Sequence, residues 1–174
     1  MAMKATLCIN DAHHLEVECC CYNHDRNEIF TGSRDCLIKA WDIESGRQLR
    51  VQQQHTNWVM GLIYVSEPVK MLFSCSLDGN ILVWNERGRL LQVIEYGGPV
   101  YCLAWDGKQR QLLAGGRGAV QVFKVLRPST NYMQTDSERK SMVKFLEFNY
   151  CTIAHDDTVQ AICCSSKGKV FTTG

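Results

Sequence analysis

The sequence predicts an all-β chain assembled from four-stranded antiparallel units that recur about every 42 residues. Three observations carry that expectation. Trp41 and Trp84 stand 43 positions apart, and each follows an acidic residue, Asp35 or Asp78, by six. His13 and His55 stand 42 apart, and each precedes a valine by four, as His155 precedes Val159. Between these markers run short β-branched or aliphatic stretches broken by turn residues, with no sustained helical periodicity. Four-stranded units at this spacing are the sequence signature of a β-propeller blade.

The first unit divides into strands near Val17–Tyr22, Glu28–Ser33, Ile38–Asp42 and Gln48–Gln52. Polar turn residues at 23–27, 34–35 and 44–47 separate them. The second unit repeats this plan. The third is weaker: Val100–Trp105 matches the first strand, Phe123 stands where tryptophan is expected, and Tyr96 takes the histidine position. Its turn, Gly115-Gly116-Arg117-Gly118, has lost the aspartate. No Gly-Lys-Ser/Thr follows and a strand comes next, so this is a strand-to-strand turn rather than a phosphate cradle. Without His and Asp, the third unit is expected to be the least rigid of the first three.

Tyr96 and His155 are 59 residues apart, about 18 more than the earlier steps. The excess falls at 127–143, a polar stretch expected to form a loop before the strand resumes near Lys144–Phe148. Its hydroxyls are candidate phosphorylation positions. The fourth copy runs from His155 to Gly174 and stops before its turn Asp and its Trp, so the chain is expected to be a partial propeller cut within the fourth blade. The expected blades span residues 12–53, 54–95, 96–149 and 150–174. Open ends of such a unit expose strand edges and favour self-association.

Composition narrows the function classes. At 174 residues with 45% hydrophobic content, the chain is long enough to bury one core. A net charge of +1 supplies no basic field, which argues against nucleic acid as a partner. No apolar run approaches the roughly 20 residues of a membrane-spanning helix. The first residues lack the apolar stretch and cleavage site of a secretory signal, and no Asn-x-Ser/Thr acceptor occurs. Ten cysteines make up less than the roughly 8–10% that marks a disulfide scaffold. Together these predict an intracellular, reducing setting, cytoplasmic with the nucleus left open. Cys19-Cys20-Cys21 and Cys163-Cys164 contain no Cys-x-x-Cys spacing, so buried free thiols are expected rather than a metal site, and no cofactor is expected.

The Ala12-His13 opening, the Gly32-Ser33-Arg34-Asp35 turn and the Trp41-Asp42 ending resemble those of WD repeats, over roughly residues 12–126 and 150–174. The resemblance implies a structural hydrogen-bond chain in each blade. The residues implied are His13, Thr31 or Ser33, Asp35 and Trp41, then His55, Ser74 or Ser76, Asp78 and Trp84, with His155 opening the fourth copy. Ser, His and Asp invite a comparison with a catalytic triad, but a motif repeated in every blade is a poor active site, and no enzyme is expected. The resemblance also implies a partner face on the side of these turns. Its candidate residues are Glu16, Glu18 and Arg34; Trp58, Met60 and Leu77; Pro99, Tyr101 and Arg117; and Thr158 and Gln160. Trp58, Met60, Leu77 and Tyr101, if all exposed, would make an apolar patch. The function so implied is a non-catalytic scaffold that binds other proteins or peptides, as a fragment or isoform of a longer propeller protein. The alternative is a recognition module for a modified peptide, a lipid head group or RNA.

Overall fold

The computed structural model describes residues 8–127 and 144–174. The expected loop at 127–143 lies, apart from Arg127, outside the described residues. Among the described residues every regular element is a strand. The first sheet holds β1 (Val17–Asn23), β2 (Glu28–Ser33), β3 (Ile38–Asp42) and β4 (Gln48–Gln52). The second holds β5 (Val59–Val65), β6 (Met71–Ser76), β7 (Asn80–Asn85) and β8 (Leu90–Glu95). The third holds β9 (Cys102–Asp106), β10 (Gln111–Gly115), β11 (Arg117–Val125) and β12 (Leu146–Thr158). The fourth sheet pairs β13 (Ala161–Cys164) with β14 (Val170–Thr173). The first three are antiparallel meanders whose strands lie side by side in chain order.

The core lies between successive sheets. Phe30, Ile38 and Ala40 of the first sheet pack against Val59, Leu62, Leu82 and Trp84 of the second. Phe73, Ile81 and Val83 of the second pack with Leu112, Ala114 and Phe123 of the third. Ala104, Leu113, Val120 and Val122 of the third meet Val159 and Ile162 next to and within β13. The second and third sheets are thus apolar on both sides, as β6 shows, where all six residues are buried. This two-sided burial is why these strands read as continuous apolar runs rather than clean alternation.

A small-residue pairing recurs where the first two strands of each sheet meet. Cys19 faces Gly32, Gly61 faces Cys75, and Cys102 faces Gly115. A Cβ at Gly32 would come within 2.7 Å of the Cys19 sulfur, and one at Gly61 within 2.8 Å of the Cys75 sulfur. Each of the first three sheets therefore accommodates one thiol and one bare Cα at this height, with the order exchanged in the second.

β12 is longer than the expected Lys144–Phe148. It runs for 13 residues and stays paired to β11 as far as Arg117 opposite Thr158. Its start is held by Gln92 of β8. The Gln92 Oε1 accepts from the backbone N–H groups of Phe145 and Leu146 at 2.7 and 3.0 Å, and its Nε2 donates to the Leu146 carbonyl at 3.1 Å. One side-chain amide thereby ties the return of the chain after 127–143 to the second sheet. Gln92→Ala is expected to cost about 1–3 kcal/mol, because two buried N–H groups lose their acceptor. Hydrogen exchange should localise the loss to Phe145 and Leu146; protection unchanged there would refute the clamp.

All ten cysteines are free. The expectation that they are buried holds fully only for Cys75: Cys19, Cys21, Cys36, Cys102 and Cys164 are half-buried, and Cys8, Cys20, Cys151 and Cys163 are exposed. The reason is alternation: along β1, Cys19 and Cys21 face the neighbouring sheet while Cys20 faces away. Burial drives the Cys19 thiol up to about 12, Cys102 to about 11 and Cys75 well above its ordinary value. Native labelling with a disulfide reagent should modify those four exposed thiols quickly and spare Cys75 until the chain unfolds. Rapid native reaction at Cys75 would contradict this packing.

Among the described residues, Phe148, Tyr150 and Ile153 of β12 and Val170 and Phe171 of β14 are exposed. Tyr150, Ile153 and Val170 line a groove of about 230 Å³ with Leu113, Val120 and Val122, where the two strands of the fourth sheet leave part of the third uncovered. No helix is long and apolar enough to cross a membrane among the described residues.

Candidate functional site

The turns that join second and third strands carry two matching hydrogen-bond relays. In the second sheet, the His55 Nδ1 lies 2.8 Å from the Asp78 carboxylate and its Nε2 2.8 Å from the Ser74 hydroxyl. The Trp84 Nε1–H donates to that same hydroxyl at 2.9 Å. In the first sheet, His13 Nδ1 meets Asp35 at 2.9 Å, Nε2 meets Thr31 at 2.7 Å, and Trp41 donates to Thr31 at 2.8 Å. One proton arrangement satisfies every member: Nδ1–H donates to the carboxylate, the hydroxyl donates to Nε2, and the indole donates to the hydroxyl.

Of the alternative hydroxyls, Thr31 and Ser74 take part in the relays. Ser33 and Ser76 shape the turn instead: Ser76 donates to the Asn57 carbonyl at 3.0 Å and accepts the Asp78 N–H at 3.0 Å. The carboxylates also accept backbone N–H groups. Asp78 receives Thr56 at 3.0 Å and Asn80 at 2.9 Å; Asp35 receives His14 and Leu37, each at 3.1 Å.

These partners fix the charge states. Burial pushes the Asp78 carboxyl upward, but the Thr56 N–H, His55 and the Asn80 N–H outweigh it and hold it below the ordinary value. His55 is lowered by burial, which outweighs the attraction of Asp78. Asp35 and His13 shift in the same directions for the same causes. A neutral imidazole beside an ionised carboxylate is the form the relay requires.

The relay has the geometry of an activated hydroxyl, but its chemistry is closed. Ser74 is fully buried, and its oxygen is shared between His55 and Trp84. Solvent does not reach it.

The third sheet solves the same problem differently. Tyr96 occupies the histidine place, and its hydroxyl donates to the Ala119 carbonyl at 3.0 Å, with the Ala114 carbonyl at 3.4 Å. Gly116 makes the room: a Cβ there would fall within 2.6 Å of the Tyr96 oxygen. Near the end of β12, His155 Nε2 meets Thr172 of β14 in the fourth sheet at 2.9 Å.

The candidate partner residues sort into two groups. Glu16, Glu18, Arg34 and Trp58 come together across the boundary between the first two sheets. The Arg34 guanidinium lies 4.2 Å from the centre of the Trp58 ring, its Nε donates to Glu18, and its Nη1 is 3.8 Å from Glu16. Parallel backbone bonds, Arg34 N–H to Glu16 and Leu77 N–H to Trp58, set the two turns at the same height.

The expected apolar patch does not form. Trp58 is 37% exposed, but Met60, Leu77 and Tyr101 are half-buried, and Met60 packs onto the core between the second and third sheets. Pro99, Arg117 and Gln160 are exposed, whereas Thr158 is half-buried and accepts from Gln160 at 2.7 Å. An open groove of about 470 Å³, lined by Leu77, Asp78, Asn80, Glu95, Gly97 and Pro99, adjoins this face. Gly97 has a φ of 93°, a conformation only glycine adopts cheaply.

Comparison with known proteins adds four findings. The family model "WD domain, G-beta repeat" matches residues 5–42 and 46–85. The chain is 37% identical over 90 residues to nuclear distribution protein nudF of Aspergillus terreus (strain NIH 2624 / FGSC A1156), covering 49% of this chain and 20% of that protein. It is 34% identical over 107 residues to CCR4-associated factor 4 of Saccharomyces cerevisiae (strain YJM789), covering 62% of this chain and 16% of that protein. Among solved structures, a chain of the mitotic checkpoint complex superposes with a TM-score of 0.75 at 18% identity, over 93% of this chain and 47% of that one. That likeness concerns the fold alone. The chain spans about half the length of the solved propeller chain and a fifth or less of the two relatives.

Proposed function

Because the chain belongs to the WD-repeat family, its repeats matched at residues 5–42 and 46–85, we propose that it is a non-catalytic scaffold that binds another protein. The contact surface in this reading is the face carrying Glu16, Arg34, Trp58, Pro99 and Arg117. The observation that carries it is the Arg34–Trp58 pair, an exposed aromatic ring held by a cation from the neighbouring sheet. Tryptophan is among the residue types that dominate binding energy at protein interfaces. The closed relays support the non-catalytic part: their hydroxyls serve the indoles rather than a ligand. The cytoplasmic or nuclear setting is part of the same proposal, supported by the ten free thiols.

Affinity capture from cell extract with the chain and with Trp58→Ala tests this reading. The variant should melt within about 1 kcal/mol of the parent, since the ring is partly exposed, and should lose about 2 kcal/mol or more of binding. Capture that survives the substitution would refute the face. Running the capture with and without ribonuclease separates a protein partner from RNA.

A further inference from the structure

The Arg34 guanidinium is seated in a cradle that two sheets build. Glu16 and Glu18 come from β1 and its lead-in, and Trp58 comes from the residue before β5. The guanidinium lies over the ring at 4.2 Å, is bound through Nε by Glu18, and leaves Glu16 at 3.8 Å, beyond hydrogen-bond reach. The Glu16 side chain is 66% exposed, so its oxygens face water with capacity to spare. Two carboxylates against one guanidinium leave the cradle with a net negative charge. An aromatic face with carboxylates at its rim is complementary to a planar cation, which gains from the ring and from directed hydrogen bonds at once.

We propose that this cradle recognises an arginine side chain of the partner, and that Arg34 is a built-in stand-in that the partner's arginine displaces. This rests on the partner-face reading and narrows it to a basic partner segment. Arg34 leaves toward solvent, where one-third of its side chain already lies. The incoming guanidinium then stacks on Trp58 and is bound by Glu18 and by Glu16. An acidic segment is disfavoured, because it would have to take Arg34 from two carboxylates already beside it. The stand-in also sets the affinity: a site occupied by its own cation binds an outside one more weakly in proportion to the fraction of time it is empty.

The experiment titrates N-acetyl-arginine methylamide into the full chain and follows the Trp58 indole N–H by NMR, assigned with Trp58→Phe. Arg34→Ala and Arg34→Gln should each bind the probe about 5- to 30-fold more tightly than the parent. In the Arg34→Ala background, Glu18→Gln should reverse that gain, and the corresponding lysine derivative should bind more weakly than the arginine one. Probe affinity unchanged by either Arg34 substitution, or indifferent to Glu18→Gln, would overturn the proposal. Loss of partner capture is read separately. If Trp58→Ala fails to reduce capture while the arginine probe binds as described, the partner-face reading falls and the cation site stands.

Discussion

Asp78→Ala is expected to lower the stability of the chain by about 2–4 kcal/mol, the larger of the two turn effects. The substitution leaves the N–H groups of Thr56 and Asn80 and the Nδ1–H of His55 without an acceptor in a turn where the Asp78 and His55 side chains are 4% and 1% exposed. Asp35→Ala removes the same bonds from the less enclosed first sheet, where the Asp35 side chain is 8% exposed, and should cost less. Urea denaturation checks both; a variant that lost binding but kept its melting behaviour would overturn the structural role of the carboxylate.

The same relays give stability a direction in pH. His55 and His13 are lowered in the folded chain, so the unfolded chain binds protons first. Their contribution is complete above the ordinary imidazole value of 6.5 and declines as pH falls below it. Asp78 and Asp35 are also lowered, so their contribution is complete above 3.8 and is lost as pH falls from there through the folded-state value. Both shifts act in one sense: acid destabilises. Thermal melts from pH 8 to pH 3 should fall in two stages, and a Tm flat between pH 7 and 5 would contradict the neutral imidazole assignment.

Tyr96→Ala is expected to cost about 3–5 kcal/mol, as for other buried aromatic residues. Tyr96 is 9% exposed and its ring fills the space over Gly116. Gly116→Ala alone should cost about 1–3 kcal/mol, because the new methyl meets that ring. Combined, the two should fall short of their sum by about 1–3 kcal/mol, since the methyl enters the space the ring has left. Additive losses in a double-mutant cycle would show that the two residues do not share this site.

That third turn also marks where the sequence stopped being readable. The strands of the first sheet were legible to within one residue because their turns are polar and their flanks alternate sharply. The relay membership came from the resemblance to WD repeats, which left open the choice between the two hydroxyls in each turn. Thr31 and Ser74 lie ten positions before their tryptophans, on the strand paired with them, and only the register shows which hydroxyl the indole meets. Tyr96 appeared as the loss of a histidine; that its bulk is matched by a bare Cα at Gly116 is a contact between positions twenty apart and leaves no local pattern. The apolar patch was misread for a related reason. Met60 and Trp58 are two apart in chain order, yet one turns to the core and the other to water, where the register shift between Val59 and Gly61 interrupts simple alternation.

The thiol-and-glycine pairs at the meeting of first and second strands have a consequence for how this chain can change over time. Positions 19 and 32, 61 and 75, and 102 and 115 are each coupled, because a Cβ added at the glycine meets the sulfur opposite, with Val59 beside Gly32 and Val159 beside Gly115 closing the same space. The second sheet holds the exchanged order, so both orders are viable within a single molecule. A lineage moving between them one substitution at a time cannot pass through two cysteines, whose sulfur and Cβ would overlap, and must pass through two glycines and a small void. Losing the cysteine opposite does not by itself free Gly32 or Gly115, because an added Cβ would still meet Val59 at 2.6 Å or Val159 at 2.9 Å.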